Sequence, residues 1–325
     1  PNITGPNEDQ EPRGAEDLTG FGIAPATAEF DRQLAKLLTA IEDLSADVLG
    51  LIEIENDPEG DTSIQALIDA INEVLGPSTY DYIDTGTVGT DAIKVGLIYR
   101  PDSVTPVGDY AILDKTVDER FDSDNQRPTV AQSFAEAGTG EVFTVAVNHL
   151  KSKGSPAGNP GDEDIGDGQA ASNGTRTEAA EALVDWLATD PTGSGDPDFM
   201  IIGDLNAYAM EDPIRAIAEG ADDVPGTEDD YTDLAQDFVG PEAYSYLFDG
   251  QLGTLDYALA NGPMAEQVTG VTEWHINSDE ADALDYNLNF GRDPDIFDAS
   301  VPYRASDHDP VVVGLDLGGG AEPVL

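Results

Sequence analysis

The chain has 325 residues, in which 66 Asp and Glu stand against 14 Lys and Arg for a net charge of −52. At 39% hydrophobic it can bury a substantial core, so the acid reads as a coating on a folded body and a disordered acidic polymer is excluded. No run approaches the ~18 apolar residues of a membrane span, no basic stretch followed by an apolar one opens these residues, and the absence of cysteine excludes disulfide scaffolds and thiolate metal sites.

Residues 1–25, rich in Pro, Gly and Asp and without a period, read as an extended loop. From Thr27 the spacing of Phe30, Leu34, Leu37, Leu38, Ile41 and Leu44 predicts a helix, which feeds a buried strand over 47–54 (DVLGLIEI). Ile64, Leu67, Ile68 and Ile71 predict a second helix over 62–75. Strands follow at 93–99 (IKVGLIY), 128–134 and 142–149 (VFTVAVNH), then a long, Gly-rich polar loop over 151–174. A helix over 175–188 leads into a strand at 199–202, whose far end is the motif GDLNA. Beyond it come a short helix near 212–219, an acidic loop at 220–233, a strand at 254–260 (TLDYALA), a polar stretch at 273–300 and a final strand at 311–317. Residues 318–325 read as a tail or linker. Strands and helices alternate with no repeat and no dividing linker, which predicts a single α/β domain over 1–325.

The three histidines are His149, His275 and His308, and two of them end or follow apolar strands beside acidic or amide residues, in VNHLKSK and SDHDPVVV. A lone His is more often structural than catalytic, and His275 in EWHIN is read that way; the other two sit where α/β enzymes keep their chemistry. Strand-end oxygens join them: Glu53, Asp204 and Asn206 in GDLNA, Asp256 in LDY, and Asp307 beside His308. Such hard donors suit Mg²⁺, Mn²⁺ or Ca²⁺, although among 66 acids any one carboxylate is ordinarily surface coating and only the conjunction carries weight. Cations kept against this background point to an anion. Two of the five lysines, Lys151 and Lys153, sit in NHLKSKGS, and Arg127, Arg176 and Arg304 lie near other loaded segments. Together these groups predict a phosphate bound beside a divalent metal.

In order along 27–317, the segments ADVLGLIEIEN, IKVGLIYRP, QRPTVAQSF, VNHLKSKGS, IIGDLNAY, TLDYALAN and SDHDPVVV resemble the endonuclease/exonuclease/phosphatase superfamily, which includes pancreatic-type deoxyribonucleases, abasic-site endonucleases and neutral sphingomyelinases. EIEN, NHLKSKGS and DGQAASNGTR look most like its branch of large secreted bacterial nucleases. The resemblance implies a four-layer α/β/β/α sandwich with two mixed sheets packed face to face. It implies that Glu53 and Asp307 serve the metal, Mg²⁺ or Mn²⁺, and that Asp204 and Asn206 orient the attacking water and the scissile phosphate. His308 would pair with Asp256 and His149 would face the phosphate from the other side, with Arg127, Lys151, Lys153 and Arg176 as phosphate contacts. Whether Asp204 or His308 acts as the base stays open at this point. The sequence departs from the family pattern twice: no phrase like FNVxN precedes Glu53, so the first strand with its metal-binding Asn is expected to be missing, and the acid that partners the first histidine has no match, leaving Asp91 as its substitute.

These readings predict a metal-dependent phosphodiester hydrolase, foremost a secreted, salt-adapted nuclease acting on DNA or also RNA, with no membrane span and no protein partner in view. The scarcity of Lys and the excess of acid fit a surface that works in concentrated salt, where the screening length falls to about 3 Å. The alternatives are a phosphatase or phosphodiesterase acting on small phosphate esters or lipid head groups, and a non-catalytic module. The last would hold a structural Ca²⁺ in the acidic loop of Asp222, Asp223, Glu228, Asp229, Asp230 and Asp233, whose spacing matches no EF-hand.

Overall fold

The structure, a computed structural model, describes residues 26–57, 62–288 and 293–318. The N-terminal loop read over 1–25 and all but Gly318 of the tail lie outside the described residues. The elements in order are α1 (Ala26–Leu44), β1 (Val48–Glu55), α2 (Thr62–Leu75), β2 (Asp81–Tyr82), β3 (Ile93–Tyr99), β4 (Val104–Leu113), β5 (Thr129–Glu136), β6 (Val142–His149) and α3 (Asn173–Leu187). There follow β7 (Phe199–Asp204), α4 (Asp212–Ala218), β8 (Tyr231–Asp233), α5 (Leu234–Phe238), β9 (Tyr246–Phe248), β10 (Gln251–Gly253), β11 (Asp256–Asn261), α6 (Gly262–Ala265), β12 (Val268–Glu273) and β13 (Val311–Leu315).

Six strands form the main sheet in the order β4-β5-β6-β7-β11-β8, in which only β6 and β7 run parallel, joined through α3. Facing it are two smaller antiparallel groups, β1-β3-β2 and β12-β13. The expectation of two mixed sheets therefore holds for one: among the described residues, only the pair with a helical crossover between its strands is parallel. A cavity of about 1010 Å³ is lined by both β1 and β13.

Alternation along the strands sorts side chains into three apolar interfaces. Ala146 of β6 and Phe199 and Ile201 of β7 point toward α3 and α4, where Leu183, Leu187, Ile214 and Ile217 cover them. Their neighbours Phe143, Val145, Val147 and Met200 point the other way, against Val95 and Leu97 of β3 and Val311 and Val313 of β13. On the far side of β1 and β3, Leu49, Ile54 and Ile98 meet Ile41 of α1 and Ile64, Leu67 and Ile71 of α2. The order is helix, sheet, sheet, helix.

Six short or polar strands had no signal in the sequence: β2, β4, β8, β12 and the two strands of the β9–β10 hairpin. β4 carries Pro106 and Gly108 and a register shift between Val107 and Ala111, which an edge strand tolerates because its outer backbone groups face no partner.

Candidate active site

Register builds the centre of the site. β6 and β7 pair in parallel with Asn148 opposite Gly203 and His149 opposite Asp204; β7 and β11 pair antiparallel with Asp204 opposite Asp256. His149, Asp204 and Asp256 thus occupy one row across three adjacent strands, about 4.8 Å apart per step. By alternation with Val147, Met200 and Ala258 the row faces the space between the sheets, at the sheet's edge where the apolar filling ends. Gly203 makes the approach of β6 to β7 feasible: its φ is +116°, and a Cβ there would lie 2.1 Å from the Asn148 carbonyl oxygen.

The row's charges are strongly coupled. Asp204 is buried, and that burial, together with the charge of Asp256 and a smaller push from Glu53, raises its pKa to about 7 against the downward pull of His308. Asn206, held at a positive φ of 49°, donates its backbone N–H to Asp204 Oδ1 at 2.7 Å and its Nδ2 to Asp204 Oδ2 at 2.8 Å. Its second amide proton goes to the Leu150 carbonyl at 3.1 Å, so Asn206 positions Asp204 in this state and does not reach outward to a phosphate. His308 Nδ1 lies 2.7 Å from Asp256 Oδ2. Burial alone would lower the pKa of His308, but the charge and hydrogen bond of Asp256, reinforced by Asp204 and Asp307, lift it to about 10, and the ring stacks on Tyr246 at 4.4 Å.

His149 is the opposite case. Burial, then the charges of Arg127 and His308, push it well below its ordinary 6.5, so its 3.4 Å approach to Asp204 Oδ2 is a neutral contact and not an ion pair. Its Nδ1 is buried with no hydrogen-bond partner. Asp91 does not fill that place; its carboxylate lies 3.0 Å from Arg127 Nε, and the substitution expected from the sequence is corrected accordingly.

Glu53 reaches the site through a bulge. Leu51 pairs with Gly96 and Ile54 with Lys94, so Ile52 and Glu53 together oppose Val95. The break returns Ile54 to the face packed on the helices and leaves Glu53, at φ 58°, off that face, where its charge acts on Asp204. Asp307, on the exposed loop before His308, acts with Glu53 on the same half-buried phenol, Tyr286, whose pKa is raised first by burial, then by Asp285 and Glu29, and least by Asp307 and Glu53. Among the described residues no three His, Asp or Glu side chains gather into a metal cage. One or two carboxylates completed by water and by substrate phosphate oxygens is the usual manner of holding Mg²⁺, and the hard oxygens of Glu53 and Asp307 fit it.

Of the four cations expected at phosphate, Arg127 lies near His149, and Lys151 lies near Arg127, whose charge joins burial in lowering the lysine's pKa; the Lys151 ammonium meets the Ser152 hydroxyl at 3.3 Å. Lys153 is committed to Glu211 and rests over the Tyr208 ring at 4.9 Å. Arg176 is corrected outright: it is fully buried, and its guanidinium donates to the carbonyls of Lys151, Ala171 and Gln169, where it ties down the 151–171 loop. Arg304 likewise serves a loop, donating to Asp282 and the Asn277 carbonyl. Sequence reasoning missed Tyr246, Tyr208 and Glu211, because an aromatic side chain on a three-residue strand, another on a loop and one more acid in an acidic chain carry no periodic signal.

His275 is structural: it stacks on Tyr244 at 3.9 Å and shares Asp309 with the backbone N–H groups of Ile276, Asn277 and Ser278. In the acidic loop, Asp222, Asp229 and Asp230 accept hydrogen bonds from the loop's own N–H groups and from the Thr227 hydroxyl, and no three of its acids gather as a calcium site.

The signature of the Endonuclease/Exonuclease/phosphatase family matches residues 20–308. No curated protein matches the chain significantly. Among solved structures, the mannosyl-6-phosphatase of Bacteroides thetaiotaomicron is similar over 88% of this chain and 91% of its own, with 15% identity and a TM-score of 0.55. An endonuclease/exonuclease/phosphatase family protein of the same organism is similar over 87% and 88%, with 15% identity and a TM-score of 0.53. TDP2 of D. rerio, solved with a single-strand DNA product, is similar over 87% and 91%, with 14% identity and a TM-score of 0.50. At these identities the likeness is one of fold. The chain belongs to the endonuclease/exonuclease/phosphatase family, whose members are phosphodiesterases, phosphatases and nucleases.

Proposed function

We propose that this enzyme is a nuclease that hydrolyses DNA outside the cell in concentrated salt, with Asp204 as its base. The observation that carries the chemistry is geometric: buried Asp204, raised to about 7, lies in one row with Asp256, whose carboxylate holds His308 Nδ1 at 2.7 Å and lifts that imidazole to about 10. A base works best with a pKa near the operating pH, which favours Asp204; His308, protonated at neutral pH, has no lone pair to offer a water proton. Asp204 takes the proton as the water oxygen bonds to phosphorus, the ester P–O bond breaks, and the departing oxygen is protonated from solvent. His308, with Nδ1 committed to Asp256, donates from Nε2 to the phosphoryl oxygen on which charge accumulates. Neutral His149 offers a hydrogen bond, while Arg127 and Lys151 supply positive charge to the neighbouring phosphate. Mg²⁺ or Mn²⁺ bound at Glu53 and Asp307 would neutralise further charge on the same oxygens.

The salt-rich setting is supported by the net charge of −52, which opposes a polyanion until the screening length is short. Plasmid and linear DNA are incubated with the protein across a range of NaCl, with Mg²⁺, Mn²⁺ or Ca²⁺ and with chelator. Metal-dependent cleavage that persists at high salt is expected, and no cleavage under any condition overturns the proposal. The same negative surface favours a second reading, a phosphatase of small esters; turnover of an aryl phosphate monoester exceeding that of DNA selects it.

A further inference from the structure

We propose that the β9–β10 hairpin is a stacking platform for the nucleobase next to the scissile phosphate, which narrows the substrate to polynucleotides; this rests on the nuclease reading above. Phe248 pairs with Gln251 and Tyr246 with Gly253 across the hairpin, so these residues share one face. That face turns toward the chemistry. The Tyr246 ring stacks on His308 at 4.4 Å, and a Cβ on Gly253 would lie 2.5 Å from Tyr208 Cε1, so the Tyr208 ring fills the space the glycine leaves. Lys153, held over Tyr208 at 4.9 Å, places a cation beside the same rings.

Phe248 is the outer member of this run and is 64% exposed. It borders a second cavity of about 490 Å³, whose lining includes Tyr208, Leu252 and Met210, the last two 53% and 84% exposed, together with Gln236 and Gln251. Large apolar side chains left in water around a concave surface, on a hairpin whose Tyr246 stacks on His308, fit a ligand with a flat apolar face and polar edges. A nucleobase attached to the scissile phosphate has that form. Charge supports the choice: a chain of net charge −52 gains little from polyanion attraction, so its hold on DNA must come from contacts that salt does not screen, and base–aromatic stacking is one.

The test compares the native enzyme with Phe248→Ala and Phe248→Trp on a short single-stranded DNA and on the same strand carrying a tetrahydrofuran abasic residue next to the cleaved phosphate. Phe248→Ala is expected to raise KM for the intact strand about 5- to 100-fold at high salt, with kcat within about twofold, because one base stack has about that worth. Phe248→Trp should keep the native KM. The abasic strand should cost the native enzyme the same factor and Phe248→Ala nothing more. An unchanged KM in Phe248→Ala, or an equal abasic penalty in native and variant, overturns the platform while leaving the nuclease reading intact. No cleavage of either strand by the native enzyme with Mg²⁺ or Mn²⁺ overturns both.

Discussion

Replacing Asp256 by Asn tests whether the enzyme needs a deprotonated Asp204 and a protonated His308 at the same time. With Asp204 raised to about 7 and His308 to about 10, native molecules hold both forms together in the window between, at about pH 8.5. Asn keeps the shape and can still accept from Nδ1, but it removes the largest charge that lifts His308 against burial, so the imidazole's pKa falls from about 10. Above the variant's lowered His308 pKa the charged imidazole is then lost, and kcat/KM falls relative to native by about tenfold per further pH unit. Toward acid pH the loss shrinks, because His308 is charged again and Asp204, relieved of its neighbour, ionises more readily. The assay is kcat/KM against pH for both proteins, with the His308 titration followed by NMR. Parallel profiles, or a variant His308 that still titrates near about 10, would refute the reasoning.

Two further outcomes are expected. Asp204→Asn should lower kcat by about 10²- to 10⁴-fold and also stabilise the metal-free protein in alkali. A raised folded pKa means that the stability from binding this proton is complete below the ordinary 3.8 and is lost as pH rises through about 7. The ionised native carboxylate then costs up to about 4 kcal/mol, and the variant recovers this less about 1–2 kcal/mol for a hydrogen bond it cannot accept. A variant melting at or below native at about pH 9 contradicts this. For Lys151→Ala, a weaker KM for DNA is expected together with a shallower dependence of log KM on log salt, by about one unit of slope, since a phosphate contact contributes about that much. An unchanged slope removes Lys151 from the phosphate site.

The long periodic elements were legible from residue order. Apolar spacing marked α1 and α2, and short apolar runs marked β1, β3, β6 and β7, because burial of one face or both imposes a period that local sequence must carry. The motif residues Glu53, His149, Asp204, Asp256 and His308 were legible as types at strand ends, and the network of contacts and charges does bring them together. The surroundings of each were set by pairing and desolvation between distant segments. Arg176 and Lys151 look alike in sequence, yet one is sealed against three carbonyls while the other meets a serine hydroxyl at the surface. Asp204 and Asp256 look equally acidic, yet burial in the row raises Asp204 while Asp256 serves His308. Glu53 gains its direction from a bulge that only the register with β3 defines, and the aromatic hairpin beside His308 had too few residues to show a period at all. Periodicity is a local consequence of burial, whereas protonation state and hydrogen-bond partnership depend on which remote chain segment removes the water.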